Sequence, residues 1–423
     1  MRTCKLSSNS YGMAAMVRVV IVGAGPAGAS TALLLAQRGI RITLLEKETA
    51  FERIFRGEGL MPAGLGALHE MGLQEVYDHQ VPSRQLTSWD FYVGTQRRMR
   101  VVEPMKNGLA TQIMDQGALL SAIVNKAKDL PNFEFYSGWQ VTELLKEGEK
   151  VVGVKANCES EKREFIADCV IACDGRYSRL RKLAGLDIER SDAQFDVLWF
   201  RLPAPASLTK ETPFVACLQP RNQFAFYPSW DEQLQIGWIV EKSSSAHQKI
   251  TELKTKDWCE VFAQALPDEW ASHFRENKSA LVGPIYLDVQ VGCAQQWSAP
   301  GLLLIGDAAH PMAPNRAQGI NMALRDAIVV ANHLAPQAST DSCSADSLAA
   351  IQSEREPEIK AIQKMQLAEW RKVAFISTPG LPYWGFKAIA TAFGRFTFAQ
   401  NIWLHEQTGL REGVTTVKLN KSL

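Results

Sequence analysis

Three glycines, Gly23, Gly25 and Gly28, directly follow an apolar, β-branched run at residues 17–22. Small and aliphatic residues continue with helical spacing to Gln37, so the pattern predicts a strand, a tight turn and a helix. In such a turn the first glycine permits the bend, the second lets a pyrophosphate approach the backbone, and the third lets helix and strand pack closely. The phosphates would bind the unpaired N–H groups at the helix start. We therefore expect a bound dinucleotide, against the alternative of a purely structural βαβ turn.

An acidic residue closes the second predicted strand. Glu46 follows the apolar run at 40–45, at the spacing from the glycines where a carboxylate accepts hydrogen bonds from a ribose 2′-hydroxyl. The acid therefore favours FAD or NAD over a 2′-phosphorylated nucleotide. It does not choose between FAD and NAD.

Two further predicted strands end in polar residues. The first ends in Asp174-Gly175, a pair that is also common in plain turns. The second, at 301–305, runs into Gly306-Asp307 and a loop of small residues, after which a helix opens. The start of that helix again offers N–H groups to an anion or to a polar ring edge.

Two basic residues lie in loops next to these strands. Arg56 follows the dinucleotide fold in a glycine-rich loop, and its planar donors favour a ligand-facing role over a solvated one. His310 stands between alanine and proline in a tight loop. We expect it to hold that loop together, and catalysis is the alternative.

The composition of the 423 residues is that of an ordinary globular protein, with 46% hydrophobic residues and a net charge of +1. This net charge gives no electrostatic reason to expect nucleic acid or an anionic membrane as a partner. Eight scattered cysteines without a Cys-x-x-Cys pair predict a reducing, cytoplasmic setting and no structural zinc. Residues 1–16 lack the apolar core of a secretory signal and are expected to form a flexible tail. No stretch is apolar for long enough to span a bilayer.

The predicted elements divide the chain into a cofactor domain, a second sheet and a C-terminal helical region. We assign residues 17–85, 109–190 and 285–335 to a discontinuous Rossmann-like domain, 86–108 and 191–284 to a mostly antiparallel, aromatic-rich substrate sheet, and 336–423 to the helical region. The last region holds a predicted long helix and then an aromatic segment broken by proline and glycine. It could cap a substrate pocket, pack on a second subunit or rest on a membrane surface.

The glycine turn with its acid, the Asp-Gly strand end and the Gly-Asp-Ala-Ala-His loop occur in one characteristic order. In this order they resemble the single-component FAD-dependent aromatic hydroxylases typified by para-hydroxybenzoate hydroxylase, over roughly residues 17–335. The resemblance implies an α/β fold in which a Rossmann-like FAD-binding domain carries the substrate sheet. It also implies FAD as the cofactor and NAD(P)H as the electron donor.

The resemblance assigns roles to individual positions. Glu46 would bind the FAD ribose, Arg56 would lie near the adenosine diphosphate, and Gln116 would contact the pyrophosphate. Asp174 would take part in FAD and NAD(P)H interactions, and Asp307 would hold the ribityl chain. The loop from Pro314 to Asn321 would lie against the isoalloxazine ring. The residues expected at the cofactor are Gly23, Gly25, Pro26, Ala27, Gly28, Glu46, Lys47, Arg56, Gln116, Asp174, Gly306, Asp307, Pro314, Gln318, Gly319, Ile320 and Asn321.

One position departs from the family pattern. Relatives commonly have Gly-Gln-Gly before the last helix, whereas this chain has Ala317-Gln318-Gly319. If the loop needs a positive φ at residue 317, we expect the alanine to be strained.

The implied activity is hydroxylation of an aromatic or polyketide- or quinone-like small molecule with NAD(P)H and O2, through a flavin C4a-hydroperoxide. The flavin carries the chemistry, so no catalytic side chain and no metal is expected. A flavin-dependent halogenase, an isoprenoid saturase or epoxidase on the same fold, and a non-catalytic binding protein remain alternatives. The substrate, the choice of NADH or NADPH and the oligomeric state stay open.

Overall fold

The computed structural model describes residues 17–51, 58–191, 193, 195–242, 257–335 and 344–420. The expected tail at 1–16 and the expected cofactor ligand Arg56 lie outside these residues. The strands are β1 (Arg18–Val22), β2 (Arg41–Glu46), β3 (Gly59–Leu60), β4 (Ser83–Gln85), β5 (Ser88–Val93), β6 (Gln96–Val102), β7 (Gln112–Met114), β8 (Phe133–Ser137), β9 (Gln140–Glu147), β10 (Lys150–Cys158), β11 (Glu161–Ile166), β12 (Cys169–Ala172), β13 (Ile188–Arg190), β14 (Phe195–Pro203), β15 (Pro213–Gln219), β16 (Asn222–Pro228), β17 (Gln233–Glu241), β18 (Val282–Leu287), β19 (Gly292–Ala294), β20 (Ser298–Ala299) and β21 (Leu302–Leu304). The helices are α1 (Pro26–Gln37), α2 (Pro62–Glu70), α3 (Gln74–Gln80), α4 (Gln116–Lys128), α5 (Arg179–Leu183), α6 (Ala206–Glu211), α7 (Trp258–Ala263), α8 (Asp268–Glu276), α9 (Gln318–Leu334), α10 (Ala345–Ile376), α11 (Leu381–Phe393) and α12 (Thr397–Glu412).

A six-stranded sheet in the order β20-β21-β12-β1-β2-β8 forms the centre of the cofactor domain. All its pairs are parallel except that between β20 and β21. Its middle strands are fully buried at Ile21, Leu44, Ile171 and Leu303. Parallel strands with continuous apolar runs need cover on both faces. Here α1, α4 and α9 pack together as the helical layer, and the antiparallel sheet β11-β10-β9 contacts β1, β2 and β12. The expected α/β fold is confirmed.

A second sheet of seven strands has the order β18-β14-β17-β16-β15-β5-β6. It is antiparallel apart from the pair β5–β15. It ends at Leu287, three residues beyond the boundary expected at 284. One face packs its alternate large residues, among them Phe226, Ile236 and Trp238, against α7 and α8. The other face is turned towards Met61 and Arg316 of the cofactor domain, which contact Trp89 of β5.

The described part of the C-terminal region, residues 344–420, contains three helices. The long helix α10 begins after Ser344, whose hydroxyl accepts from the N–H of Ser347 and caps it, and it packs along α9. Helix α11 begins at Leu381 with Pro382 in its first turn, which fits the fixed φ of proline. Among the described helices, none is both long and apolar enough to cross a membrane.

A chain of buried charges joins α9, α10 and the last residues of the chain. The guanidinium of Arg355 contacts Asp326 at 2.8 Å and also Glu358, and Glu358 lies 2.8 Å from Arg325. The carboxylate of Glu358 also accepts the N–H groups of Val414 and Thr415 at 2.8 and 3.2 Å. Although burial opposes ionisation, nearby His310 and Arg355 lower the pKa of Asp326 to about 2. Each buried charge therefore has an opposite partner, as a low-dielectric interior requires.

Replacing Arg355 tests this chain. Arg355→Met keeps the volume but leaves two buried carboxylates without their shared cation, so we expect the free energy of unfolding to fall by about 3–5 kcal/mol. Urea denaturation at pH 7 measures it. The matched control is Arg371→Met on the exposed side of the same helix, which should change stability by less than about 0.5 kcal/mol. Equal effects of the two variants would contradict the interpretation.

Candidate cofactor and active site

In the turn after β1, the protein's own backbone requires two of the three glycines, whereas nothing in the described part of the protein requires the third. Gly23 has a φ of +100°, and a Cβ there would lie 2.4 Å from the carbonyl oxygen of Cys173. A Cβ at Gly28 would lie 1.9 Å from the carbonyl oxygen of Gly23. By contrast, a Cβ at Gly25 meets nothing within 4 Å, and its φ of −70° suits any residue. The open space at Gly25 therefore fits a phosphate group.

Helix α1 starts at this space without a side-chain cap, with Gly25 as its N-cap and Pro26 as its first residue. Its first N–H groups are thus available to an anion. The buried Glu46 accepts the N–H of Ala24 at 2.7 Å, so its carboxylate lies against the glycine turn, and its assignment to the ribose stays a prediction. Neighbouring Lys47 pairs with Glu48 at 3.3 Å and keeps 63% of its side chain exposed. Its side chain is directed to solvent, and the assignment to the cofactor stays a prediction.

Gln116 and Asp174 lie at the starts of helices. Gln116 is the first residue of α4, where Asp115 accepts the N–H of Ala118 at 3.1 Å. It is half-buried. Asp174 accepts the N–H groups of Arg179 and Leu180 at 2.7 and 3.1 Å, so it caps α5. Its carboxylate therefore has a structural role, and its contact with a cofactor stays a prediction.

The Gly-Asp loop connects the glycine turn with the start of α9. A Cβ at Gly306 would lie 3.0 Å from the Cβ of Ala27 in α1. One Asp307 oxygen lies 3.7 Å from Arg176, and the other would lie 3.5 Å from a Cβ at Gly319. The Gly-Asp loop thus places Gly306 and Asp307 between Ala27 at the start of α1 and Gly319 at the start of α9. All four are residues expected at the cofactor.

His310 has the structural role that the sequence favours. Its imidazole is 1% exposed, and its Nε2 lies 2.7 Å from Asp326. Asp326 also accepts the N–H of Gly306 at 3.0 Å, which holds the same loop. The ring also packs on Trp297, with the centroids 4.9 Å apart. His310 therefore anchors the loop to α9.

The loop before α9 adopts the strained conformation. Ala317 has φ +50° and ψ +34°, and Arg316 has φ +62°. The expectation of strain at Ala317 is confirmed, and such a conformation costs about 1–2 kcal/mol per residue. Arg316 is held by Glu369 of α10 at 2.6 Å and by the ring of Trp89. The surrounding contacts thus maintain this backbone.

The side chains of Gln318 and Asn321, which follow in the chain, form hydrogen bonds within the protein. Gln318 donates to the carbonyl oxygens of Arg316 and Leu410 at 2.8 and 2.7 Å. Asn321 accepts the N–H of Met61 at 2.9 Å and donates to the carbonyl oxygen of Ala317 at 2.7 Å. What this loop offers a cofactor is therefore backbone and the half-buried surfaces of Pro314, Ala317 and Gly319, while Ile320 is buried.

Strand β3 runs beside this loop. A Cβ at Gly59 would lie 3.2 Å from the Cβ of Ala317, and Asn321 joins the two segments. The start of α9 has no side-chain cap. Gly59 and Ala317 thus place small residues beside the uncapped start of α9, and we take this surface as one side of a candidate cleft. Such a surface fits the edge of a planar ring system.

The other side of the cleft is a feature that the sequence analysis missed. Ala216, Ala225 and Gly237 are paired across three neighbouring strands, and Phe91 and Trp199 continue the row on either side. All five are half-buried, although their strands lie inside the sheet. Their side chains alternate with the large residues that face α7 and α8. A Cβ at Gly237 would lie 3.4 Å from the Trp199 ring, so this ring adjoins Gly237 and bounds the floor there. The sheet therefore has a shallow floor between two aromatic side chains, suited to a flat ring system.

Glu58, two residues after Arg56 in the chain, is the second missed feature. Its oxygens accept from Ser229 at 2.5 Å and Gln235 at 2.9 Å, so it joins β3 to the second sheet. Burial raises its pKa to about 7, despite the hydrogen bonds and the positive charge of Arg201. Perturbed carboxyls in clefts are candidates for functional groups. A carboxylate inside the run Gly-Glu-Gly-Leu-Met-Pro was the available signal.

Together, the cofactor turn, the cleft and the second sheet define a flavin-dependent oxidoreductase. The model of the FAD binding domain family matches residues 16–366, and the chain belongs to this family. It is 32% identical over 365 residues to 6-methylpretetramide 4-monooxygenase of Streptomyces rimosus, covering 84% of this chain and 83% of the relative. It is 25% identical to 3-hydroxybenzoate 6-hydroxylase of Klebsiella oxytoca over 381 residues, covering 83% and 87%.

The fold is also that of solved monooxygenases. p-Nitrophenol 4-monooxygenase from Pseudomonas putida superposes with a TM-score of 0.77 at 19% identity, covering 95% of this chain and 100% of that one. A probable FAD-dependent monooxygenase from Pseudomonas aeruginosa gives 0.70 at 20% identity, covering 85% and 96%. The resemblance to FAD-dependent aromatic hydroxylases is confirmed, and the chain is an FAD-dependent monooxygenase.

Two glycine variants separate cofactor binding from folding. Gly25→Ala places a methyl group in open space, so we expect the apoprotein stability to change by less than about 0.5 kcal/mol and FAD affinity to fall at least about tenfold. Gly28→Ala forces a backbone shift and should lower the free energy of unfolding by about 1–3 kcal/mol. FAD titration and urea denaturation of the apoproteins measure both. Unchanged FAD binding by Gly25→Ala would exclude a phosphate at this turn.

Glu58→Gln tests the raised pKa. The carboxyl has a pKa of about 7 in the folded protein against an ordinary 4.5, so the native state binds more protons between these values. Its contribution to stability is complete below pH 4.5 and is lost as pH rises through 7, by up to about 3 kcal/mol. Relative to wild type, the variant should thus be more stable at pH 8 than at pH 5.

Urea denaturation at both pH values gives this difference. Glu48→Gln, at the exposed ion pair with Lys47, is the matched control and should leave the pH dependence unchanged. A Glu58→Gln profile parallel to that of wild type would show that Glu58 titrates normally.

Proposed function

We propose that this chain uses NAD(P)H and O2 to hydroxylate a flat aromatic, polycyclic substrate bound on the floor Ala216–Ala225–Gly237. The observation that carries the proposal is the position of this floor, on the sheet face that β3 and the loop before α9 adjoin. A planar molecule on the floor would have Phe91 and Trp199 at its sides. The named substrate of the 32% identical relative, 6-methylpretetramide, supports a substrate of the same aromatic polyketide kind.

Within this proposal the chain positions the cofactor. The N–H groups at the start of α1 bind the pyrophosphate in the space beside Gly25, and Glu46 accepts hydrogen bonds from the ribose. The backbone of β3 and of the loop before α9 holds the ring system beside the second sheet. FAD, when bound, supplies the oxygen chemistry with electrons from NAD(P)H.

The protein also controls water and protons in the cleft. Trp89, Phe214 and Tyr227 form an aromatic layer next to the floor, with ring centroids 4.9 Å apart for Trp89–Phe214 and 5.9 Å for Phe214–Tyr227. This layer restricts water at the reacting centre. The carboxyl of Glu58, with its pKa of about 7, can accept a hydrogen bond or a proton from a substrate hydroxyl near neutral pH.

A reducing compartment fits this protein. Five cysteines in the described ranges are free thiols: Cys158, Cys173, Cys217, Cys259 and Cys293. Structural disulfides mark oxidising compartments. The free thiols therefore support the cytoplasm as the place of action.

Stopped-flow spectroscopy tests the activity directly. With FAD-loaded protein, we expect an aromatic polyketide substrate to accelerate flavin reduction by NADH or NADPH, and one atom of ¹⁸O2 to enter the product. Product formation that requires chloride would instead indicate a halogenase. Loss of a double bond without oxygen incorporation would indicate a saturase. Absence of flavin reduction by either nicotinamide under all these conditions would contradict the single-component reaction.

Filling the floor tests the substrate site. Ala225→Leu adds bulk at its centre, so KM should rise, or kcat/KM fall, at least about tenfold, with FAD content unchanged. The matched control is Ala299→Leu on half-buried β20 of the other sheet, which should keep the wild-type KM. A wild-type KM in Ala225→Leu would place the substrate elsewhere.

A further inference from the structure

The outer side of the C-terminal helices carries an exposed apolar surface, which we call the C-terminal patch. It contains eight of the sixteen large apolar side chains that are exposed in the described chain. Leu381 is 90% exposed and Trp384 is 60% exposed. The patch comprises Phe375, Leu381, Trp384, Ile389, Phe393, Phe396, Phe398 and Ile402. Contiguous exposed apolar surface of this kind marks an interaction site.

The patch faces outward because α11 and α12 bury other side chains. In α11, Tyr383 is 3% exposed, whereas Leu381, Trp384 and Ala388 are exposed at spacings of three and four residues, and the exposed Ile389 adjoins Ala388. Such a spacing forms one stripe along a helix. At 13 residues, α11 is too short to span a bilayer but long enough to lie along its surface.

The charges around the patch have one sign. Residues 374–405 contain no aspartate or glutamate, and they include Lys387 and Arg395. Arg221 adjoins them, since its N–H donates to the carbonyl oxygen of Ser377 at 3.0 Å. Within the described ranges these three cations form no ion pair. Glu406 of α12, which directly follows this stretch, is paired with Lys372 at 2.8 Å.

Two of the cations lie over aromatic rings of the patch. The Lys387 ammonium is 5.0 Å from the ring centroid of Trp384, and the Arg395 guanidinium is 5.6 Å from that of Phe396. Long basic side chains that lie along apolar groups can keep their charged ends at the level of lipid headgroups while the rings enter the bilayer.

We propose that the C-terminal patch docks on an anionic lipid surface. Apolar and aromatic side chains then enter the interface, and Arg221, Lys387 and Arg395 meet lipid phosphates. A second copy of this chain fits less well. In a two-fold contact the same patch faces itself, so these cations would approach one another with no carboxylate from residues 374–405 between them.

Vesicle sedimentation of the full-length, FAD-loaded protein tests the proposal. Vesicles of phosphatidylcholine alone are compared with vesicles that also contain phosphatidylglycerol. We expect binding that requires the anionic lipid and weakens with added salt. Trp384→Ser/Ile389→Ser should lower the partition coefficient at least about tenfold. Lys387→Gln/Arg395→Gln should do so by about tenfold at low salt.

Matched controls use the same changes on β11, away from the patch. Ile166→Ser removes an exposed apolar side chain (49% exposed), and Lys162→Gln removes an exposed cation. Both should bind vesicles as wild type does. The FAD content of each variant confirms that it is folded.

Three results would overturn the proposal. They are no binding to either vesicle, equal binding to both, and equal losses in the β11 controls. Analytical ultracentrifugation adds a fourth. A dimer that Trp384→Ser/Ile389→Ser dissociates, without lipid binding by wild type, would assign the patch to a second copy of the chain.

Discussion

Buried charges hold helix α9, and with it the loop that precedes it, in place. The carboxylate of Asp326 in this helix contacts His310 of the Gly-Asp loop and accepts a hydrogen bond from Arg355 of α10. Arg325 donates hydrogen bonds to Glu358, whose carboxylate also accepts the N–H of Val414, just after α12. Helix, loop and C-terminus are thus joined by interactions whose loss would leave unpaired charges in the interior. This constraint allows the neighbouring Ala317 to remain in a conformation that alanine disfavours.

The parts of the fold that were predictable depend on short stretches of sequence. The glycine turn is one, because Gly23 and Gly28 are required by backbone atoms a few residues away or on the adjoining strand. The structural role of His310 is another, because a histidine between alanine and proline in a tight loop favours a role in holding that loop over a role in catalysis. The floor of the second sheet was not predictable, because Ala216, Ala225 and Gly237 meet only through strand register. A single sequence contains no direct signal for such pairings.

The C-terminal region has an inner and an outer surface with different properties. Inside, Gln366 of α10 donates to the carbonyl oxygens of Ala313 and Asn315 at 2.8 and 2.7 Å, and Leu410 of α12 accepts from Gln318. The region therefore supports the loop before α9. Outside, it exposes the C-terminal patch. Sequence alone left three roles open because the two surfaces alternate along the same helices, and only packing separates them.

The order of strands in the cofactor sheet has a consequence for how the protein is made. Strand β1 needs β12 beside it, and β12 needs β21, so Val22, Ala172 and Leu304 stand side by side in the finished sheet. A chain leaving the ribosome exposes its first strand long before these partners exist. The dinucleotide site is likewise incomplete until α9 has emerged. We therefore expect the N-terminal segment of the growing chain to need protection from aggregation, by chaperones or by its own helices, during most of translation.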